Sequence, residues 1–206
     1  METHNILFET VIGSHIWKMD NPESDVDIFR CYIADTRDML LGDKPKNYFN
    51  ANDGTDIQLS EIGNVINGLI KNNFNYMIAV NSPIVRFDSG VLAELRRLSL
   101  DNISKECYNS IHGLAEQNYK KYIESGIDTS VKRCNQIAIT LRFGITLLNS
   151  GKMVFEPFSV KSPDDIKQLM RDLDLARNRS TLPEKPKHVK ELEDYLVELR
   201  IKNIHM

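Results

Sequence analysis

Two aspartates stand two positions apart in the stretch "GSHIWKMDNPESDVDIF", and ten residues separate them from a Gly-Ser pair. Gly13 closes an apolar run and lets the backbone approach a ligand closely, and Ser14 adds a hydroxyl donor. In a strand, Asp25 and Asp27 share one face, with Cα atoms roughly 6.5–7 Å apart. Hard divalent ions prefer carboxylate oxygens. If a short helical turn begins near residue 15, its N–H groups favour an anion. These residues favour a site that holds a triphosphate between backbone amides and Mg²⁺.

A third acid would complete a two-metal site, and Asp56 is the leading candidate. It follows a glycine turn in a short extended piece, where it can lie beside the second strand. In two-metal chemistry one ion activates the attacking oxygen and the other neutralises the leaving pyrophosphate. The reaction would be in-line displacement at the α-phosphorus of a nucleoside triphosphate. The competing third ligands are Asp53, Glu9 and Glu61.

A surface turn would explain the same residues without a metal or nucleotide site. Residues 21–24 are typical of a turn, after which Asp25 and Asp27 would simply begin a solvated strand. Asp56 likewise suits the acid expected before an amphipathic helix. The Gly-Ser pair at its spacing, the strand before it and the later Asp56 together favour the metal site.

The elements that must position these residues form a mixed half followed by a helical half. Residues 5–12 and 25–34 are predicted strands, because they are dense in β-branched and aromatic residues. From residue 62 apolar residues recur at helical spacing, and beyond about residue 91 long helical patterns follow. We therefore expect an α+β domain over residues 1–90 and a helical domain over 91–206.

Two later stretches give signals of different strength. "SPDD" at 162–165 predicts a helix start, with Ser at the N-cap, Pro at the first helical position and acids in the first turn. The segment "NFNYMIAVNSPIV" fits a short helix and a strand equally well, so it stays open. A last amphipathic helix is predicted over 188–202.

Composition limits the class of protein. The chain has 206 residues, 41% of them hydrophobic and 27% charged, which is ordinary for a globular protein. Its net charge of −3 excludes the overall basic field of a dedicated duplex-binding protein. The three cysteines are far apart and are expected to be reduced. With no signal-like start and no apolar run of about 18 residues, we expect a cytoplasmic protein without a membrane span.

Gly13-Ser14, ten residues and then Asp25-x-Asp27 resembles the signature of the DNA polymerase β-like nucleotidyltransferase superfamily. The local text "GSHIWKMDNPESDVDIFRCYI" is similar to that of predicted nucleotidyltransferases of the RNA-repair-pathway polymerase β type. Three later stretches resemble the same family: Asp56 through "NGLIKNNFNYMIAVNSPIV", "KRCNQIAITLRFGITLLNSGK" and "LPEKPKHVKELEDYL". The resemblance therefore extends over nearly the whole chain.

This resemblance implies a fold and a set of roles. The fold would be a polymerase β-type domain, a small mixed sheet with flanking helices, plus a C-terminal helical domain. Asp25, Asp27 and Asp56 would bind the metal, and Asp56 would also help to activate the acceptor hydroxyl. Gly13 and Ser14 would contact the triphosphate.

Two further residues take weaker roles from the resemblance, and one from its place in the motif loop. Lys132 and Arg142 match basic positions of a family helix, where they would neutralise phosphates or bind the acceptor. A solvated helix face is the alternative for both. In the loop after the Gly-Ser pair, Trp17 would stack on a base or pack against the second domain.

The implied reaction is transfer of a nucleoside monophosphate from an NTP to a hydroxyl, with Mg²⁺ or Mn²⁺ and release of pyrophosphate. The family suggests an RNA end as acceptor, while protein hydroxyls and small molecules stay open. One alternative is a non-catalytic nucleotide-binding or regulatory protein, such as a partner in a toxin–antitoxin pair. Another is a phosphohydrolase that uses the same ions with water as nucleophile.

Overall fold

The computed structural model describes residues 5–42, 47–52 and 55–204, and within them the fold is α+β, as predicted. The strands are β1 (Asn5–Ile12), β2 (Val26–Ile33), β3 (Tyr48–Asn52), β4 (Thr55–Glu61) and β5 (Val85–Asp88). The α-helices are α1 (Thr36–Leu40), α2 (Ile62–Ile70), α3 (Phe74–Asn81), α4 (Leu92–Asp101), α5 (Cys107–Asn118), α6 (Val131–Ser150), α7 (Pro163–Arg179) and α8 (Val189–Ile204). A 3-10 turn spans Gly13–Trp17, and a π-helical turn spans Tyr119–Glu124.

The sheet is mixed, with strand order β3-β4-β2-β1-β5. Strands β2 and β4 pair in parallel, whereas β1 with β2, β1 with β5 and β3 with β4 pair antiparallel. Strand β2 is therefore central, and its first residues lie between the end of β1 and the start of β4. That position is where the sequence predicted the chemistry.

One face of the sheet is packed by aromatic rings and by helix α2. The rings of Phe8 on β1 and Phe29 on β2 stack with their centroids 6.0 Å apart. Tyr76 of α3 meets Phe29 edge-on at 6.1 Å. The apolar stripe of α2 is buried as its helical spacing predicts, and its buried residues are Ile62, Val65, Ile66 and Leu69.

Several elements differ from the prediction. Strand β2 begins at Val26, so Asp25 precedes it rather than starting it. The ambiguous stretch contains both structures, since α3 ends at Asn81 and β5 begins at Val85. Strand β3 and helix α1 were missed. β3 is short and contains asparagine, which is rare in strands, so its letters carry little strand signal.

The helical half follows its start and stop signals closely. Helix α6 ends at Gly151, which has φ +69°. Helix α7 begins with a capping box, in which the Ser162 side chain and the Asp165 side chain satisfy each other's backbone N–H groups. None of the helices that the structure describes has the length and apolar character needed to cross a membrane.

The described residues divide into two compact units. The first unit contains the described residues of Met1–Lys71, Asn75–Asn102 and Lys187–Met206. The second unit contains the described residues of Asn72–Phe74 and Ile103–Pro186. These two units differ from the division at residue 90 that the sequence predicts, because helices α4 and α8 lie in the first unit with the sheet. The last helix belongs there since its Arg200 forms an ion pair with Glu61 of β4.

Candidate active site

Glycine 13 lies directly against the carboxylate of Asp27. Strand β1 ends at Ile12, and the chain enters the 3-10 turn through Gly13 with φ +71°, a left-handed conformation that favours glycine. A Cβ atom on Gly13 would overlap Oδ2 of Asp27 and lie 2.8 Å from its Cγ. The sequence therefore needs glycine here for conformation and for space. The close approach that the structure shows is to an acid, and the approach to a ligand predicted from the Gly-Ser pair stays a prediction.

Asp27 and Asp56 are brought together by the parallel pairing of β2 and β4. Their Cα atoms are direct partners in the ladder, and Ile12 of β1 is the partner of Asp27 on the other side. Paired residues on neighbouring strands extend from the same face, so the two carboxylates lie side by side. Both residues are half-buried. The expectation that Asp56 lies beside the second strand is confirmed.

Asp25 is placed by a self-contained polar turn. The Ser24 hydroxyl accepts a hydrogen bond from the Asn21 N–H at 2.9 Å, and the Asn21 side-chain oxygen accepts one from the Glu23 N–H at 2.9 Å. Asp25 follows this turn, is exposed and directly precedes β2. The surface turn considered as an explanation without a metal site is therefore present at residues 21–24. Asp25 lies between this turn and β2, the strand that carries Asp27.

The donor set suits a hard divalent ion. Within the described part of the chain, no three His, Cys, Asp or Glu side chains lie together as a metal-binding group. What the ladder supplies is the Asp27–Asp56 pair, with Asp25 two positions before Asp27. All the donor atoms are carboxylate oxygens, which Mg²⁺ and Mn²⁺ prefer. The pair of like charges on one face, closed on one side by a glycine backbone, fits such an ion.

The competing third ligands are engaged elsewhere or lie outside the described residues. Glu9 forms an ion pair with Arg30, on the sheet face opposite Asp27. Glu61 is buried and pairs with Arg200 of α8. Asp53 lies outside the described residues, as does the glycine after it. Asp56 is therefore the third acid that the described sheet places next to Asp27.

The loop after the Gly-Ser pair contributes two side chains to the core, Ile16 and Trp17. The 3-10 turn begins at Gly13, two residues earlier than expected, and Trp17 is 6% exposed, so its indole packs inside rather than offering a stacking surface. His15 Nδ1 lies 3.3 Å from Asp20 Oδ2. Sequence reasoning missed this His–Asp pair, because a five-residue separation in a loop matches no regular spacing.

Lys132 and Arg142 lie in the second unit, on α6. Lys132 is exposed in the first turn of the helix. Arg142 is also exposed, and its guanidinium carbon lies 5.6 Å from the centre of the Phe158 ring. About ten residues of helix correspond to about 15 Å along the axis, so the two side chains do not share one phosphate. Their part in nucleotide binding stays a prediction.

A family model decides the relationship of the chain to known proteins. The model of the RNA repair pathway DNA polymerase beta family matches residues 1–194. The chain belongs to this family. The matched residues include the Gly-Ser pair and all three aspartates, so the match to the RNA repair pathway DNA polymerase beta family covers the whole candidate site. The resemblance to this family carried by "GSHIWKMDNPESDVDIFRCYI" is confirmed. The chain is therefore polymerase β-like, and the family implies an NTP as its substrate.

Two other comparisons add little to the family assignment. The chain matches the crystal structure of a nucleotidyltransferase-like protein from Exiguobacterium sibiricum 255-15 at 11% sequence identity and a TM-score of 0.35, over 96% of this chain and 74% of that chain. A likeness of this size adds nothing to the argument from the family. No curated protein matches the sequence significantly.

Proposed function

We propose that the chain is a metal-dependent nucleotidyltransferase that moves a nucleoside monophosphate from an NTP to a hydroxyl acceptor and releases pyrophosphate. The observation that carries the proposal is the ladder position of Asp27 and Asp56, direct partners on one face, with the Gly13 backbone against Asp27. Two adjacent carboxylates repel each other unless a cation lies between them or a proton is taken up. A binding role for a cation explains why the sheet holds them there.

The chemical step needs few groups from the protein. The acceptor hydroxyl oxygen forms a bond to the α-phosphorus, while the bond from that phosphorus to the bridging oxygen breaks and pyrophosphate leaves with the electron pair. Asp56 takes the proton of the attacking hydroxyl, and Gly13 and Ser14 hold the triphosphate through backbone and hydroxyl donors. The protein contributes mainly position and charge.

The residues that fit a divalent ion are Asp25, Asp27 and Asp56. Mg²⁺ or Mn²⁺, when bound in the two-metal manner, would neutralise charge on the attacking oxygen and on the leaving pyrophosphate. Asp27 is held firmly by β2 and by the Gly13 backbone, whereas Asp25 is exposed outside the strand. We infer that Asp25 completes the ligand set when the nucleotide is bound.

An RNA end is the acceptor that the family description favours. A second candidate function is nucleotide binding without turnover, as in a sensor or a regulatory partner protein. The exposed position of Asp25 before β2 favours this candidate, because a site with only two strand-held carboxylates can bind a nucleotide without aligning an attack.

Transfer of label from each α-labelled NTP tests the proposal. The native chain is incubated with Mg²⁺ or Mn²⁺ and a pool of RNA, with the protein itself also present as acceptor. An Asp25→Asn/Asp27→Asn double variant runs beside it, and an Asp38→Asn variant serves as control because Asp38 is an exposed acid on α1. We expect labelled RNA from the native chain and the control, and none from the double variant.

The other outcomes separate the two candidates. Metal-dependent nucleotide binding that the double variant loses, without transfer to any acceptor, would select the sensor. Labelled monophosphate or diphosphate in place of labelled acceptor would select hydrolysis. Equal nucleotide binding by the native chain and the double variant would reject the site.

A further inference from the structure

A second row of side chains crosses the sheet beside the two aspartates. Gln58 of β4 is the Cα partner of Phe29 on β2 and of Phe49 on β3. Because side chains alternate along each strand, these three residues lie on the same face as Asp27 and Asp56. Two residues along a strand separate the two rows, which corresponds to roughly 6.5–7 Å.

The two ends of this second row differ in exposure. Phe29 is 1% exposed, and its ring is perpendicular to the Tyr76 ring, with the centroids 6.1 Å apart. The Tyr76 hydroxyl accepts a hydrogen bond from the Asn47 side chain at 3.5 Å, and the Asn47 oxygen accepts one from Asn64 at 3.0 Å. Phe49, by contrast, is 66% exposed. Helices α2 and α3 thus close the row at Phe29 and leave an open aromatic ring at Phe49.

Phe49 lies on the acceptor side of the aspartate pair. Gly13 and Ser14, the triphosphate contacts of the proposed function, follow β1, which borders Asp27 on one side. Asp56, the proposed proton acceptor, lies on the other side, and β3 with Phe49 lies beyond it. A group stacked on Phe49 therefore reaches Asp56 before it reaches the triphosphate contacts.

The chemistry of this surface fits a nucleobase at the end of a single strand. An exposed aromatic ring stacks on any base, because every base has a π-face. Gln58, half-buried beside it, offers both a donor and an acceptor to a base edge or a ribose hydroxyl. The net charge of −3 disfavours a long phosphate footprint, so a short unpaired end fits better than a duplex.

We propose that Phe49 and Gln58 form a platform for the terminal nucleoside of a single-stranded RNA acceptor, with the base stacked on Phe49 and the terminal ribose hydroxyl presented to Asp56. This inference rests on the proposed function for the hydroxyl transfer, but not for the binding itself. In the transfer, the ribose oxygen bonds to the α-phosphorus, its proton passes to Asp56 and pyrophosphate leaves. Phe49 positions the acceptor and does not touch the triphosphate.

Binding of a short fluorescein-labelled oligoadenylate, followed by anisotropy without NTP, tests the platform in the full chain. Phe49→Ala should weaken binding about tenfold, the loss expected for one stacked base, and Phe49→Trp should restore it. Phe87→Ala is the matched control, because Phe87 is 46% exposed on β5, the opposite edge strand, and pairs with Glu9 on the other face. Circular dichroism confirms that each variant is folded.

Each result supports or overturns the platform. Unchanged affinity in Phe49→Ala, an equal loss in Phe87→Ala, or no binding of oligoadenylate by the native chain would overturn it. Transfer assays then give a raised KM for RNA and an unchanged KM for NTP in Phe49→Ala if the platform is correct. Transfer to protein alone would overturn the RNA acceptor. If no label moves to any acceptor while Phe49→Ala still loses RNA affinity, the proposed function fails and the platform stands.

Discussion

The parallel pair β2–β4 carries carboxylates at both ends, and the two ends differ in what surrounds them. At the end where the strands begin, Asp27 and Asp56 are half-buried neighbours, and Asp56 forms no ion pair with any described residue. At the other end Glu61 is 2% exposed, and Arg200 Nη2 lies 2.5 Å from its Oε1. Its two oxygens also accept hydrogen bonds from the Ala34 and Gly63 N–H groups, at 3.3 and 2.7 Å.

The difference separates an acid that neutralises a half-buried guanidinium within the fold from two acids placed at a partly open edge of the sheet. Burying a carboxylate is costly unless a cation and hydrogen-bond donors surround it, and Glu61 has both. The Asp27–Asp56 pair brings two like charges together at a partly open edge, an arrangement that a bound cation would stabilise.

The largest effect is expected from Asp27→Asn. If Asp27 binds the metal, transfer should fall about a thousandfold, because losing ~4 kcal/mol of transition-state stabilisation corresponds to that factor. The free energy of unfolding should fall by less than it does in Glu61→Gln, because Asp27 is half-buried whereas Glu61 is buried. Single-turnover label transfer and urea unfolding measure the two quantities. A native rate in Asp27→Asn would remove this residue from the reaction.

The reverse result is expected from Glu61→Gln. The Arg200 guanidinium would keep its half-buried position without a carboxylate, so the free energy of unfolding should fall by about 3 kcal/mol. Transfer per folded molecule should not change. Glu94→Gln is the control, because Glu94 pairs with Arg97 on an exposed helix surface, where ion pairs contribute little. Equal unfolding curves for the two variants would show that Glu61 is not a structural acid.

Gly13→Ala tests the contact between backbone and acid at the open end. The methyl group would displace the Asp27 carboxylate, and metal-dependent nucleotide affinity should fall about tenfold, or ~1.4 kcal/mol. Gly126→Ala controls for backbone strain, because Gly126 has φ +74°, close to the +71° of Gly13, but a Cβ there meets nothing within 4 Å. Nucleotide affinity in Gly126→Ala should equal that of the native chain. An equal loss in both variants would assign the effect to strain alone.

The smallest effect concerns Cys31, which is buried next to the closed end. Burial, and then the Glu61 charge, raise the pKa of this thiol well above its ordinary value of 9.0, while Arg200 acts in the opposite direction. The folded chain thus keeps a proton that the unfolded chain loses above pH 9, so stability falls as the pH rises. Relative to Cys31→Ala, the native chain should lose about 1 kcal/mol between about pH 8 and pH 10. Urea unfolding at both pH values measures this, and parallel losses in the two chains would contradict it.

The open end could be predicted from the sequence because its signals are local. Gly13, Ser14, Asp25 and Asp27 lie in one stretch of the sequence. Glycine at the end of a strand permits a close backbone approach, and acids in alternate positions of a strand share one face. The place of Asp56 beside β2 was predicted from its short extended piece and is confirmed by the register. What the stretch did not reveal is that Asp25 lies just outside the strand, because a polar turn takes up the residues before it.

The closed end could not be predicted in the same way. Glu61 was considered as a metal ligand, since nothing near it in the sequence indicates that Arg200 of α8 neutralises it. The same limit applies to β3, whose asparagines give no strand signal although pairing with β4 makes it a strand. The Glu61–Arg200 ion pair and the pairing of β3 with β4 are both contacts between different elements, and a single sequence gives little indication of such contacts. The division of the helices between the two units follows from the same contacts.

The discontinuity of the first unit has a consequence for the order of folding during synthesis. The ribosome delivers Glu61 early, but its guanidinium partner emerges only after the entire stretch 103–186 of the second unit has left the exit tunnel. Nascent chains generally fold from the N-terminus as segments become available. The first unit can therefore form the ion pair between Glu61 and Arg200 only after the residues of the second unit have been synthesised.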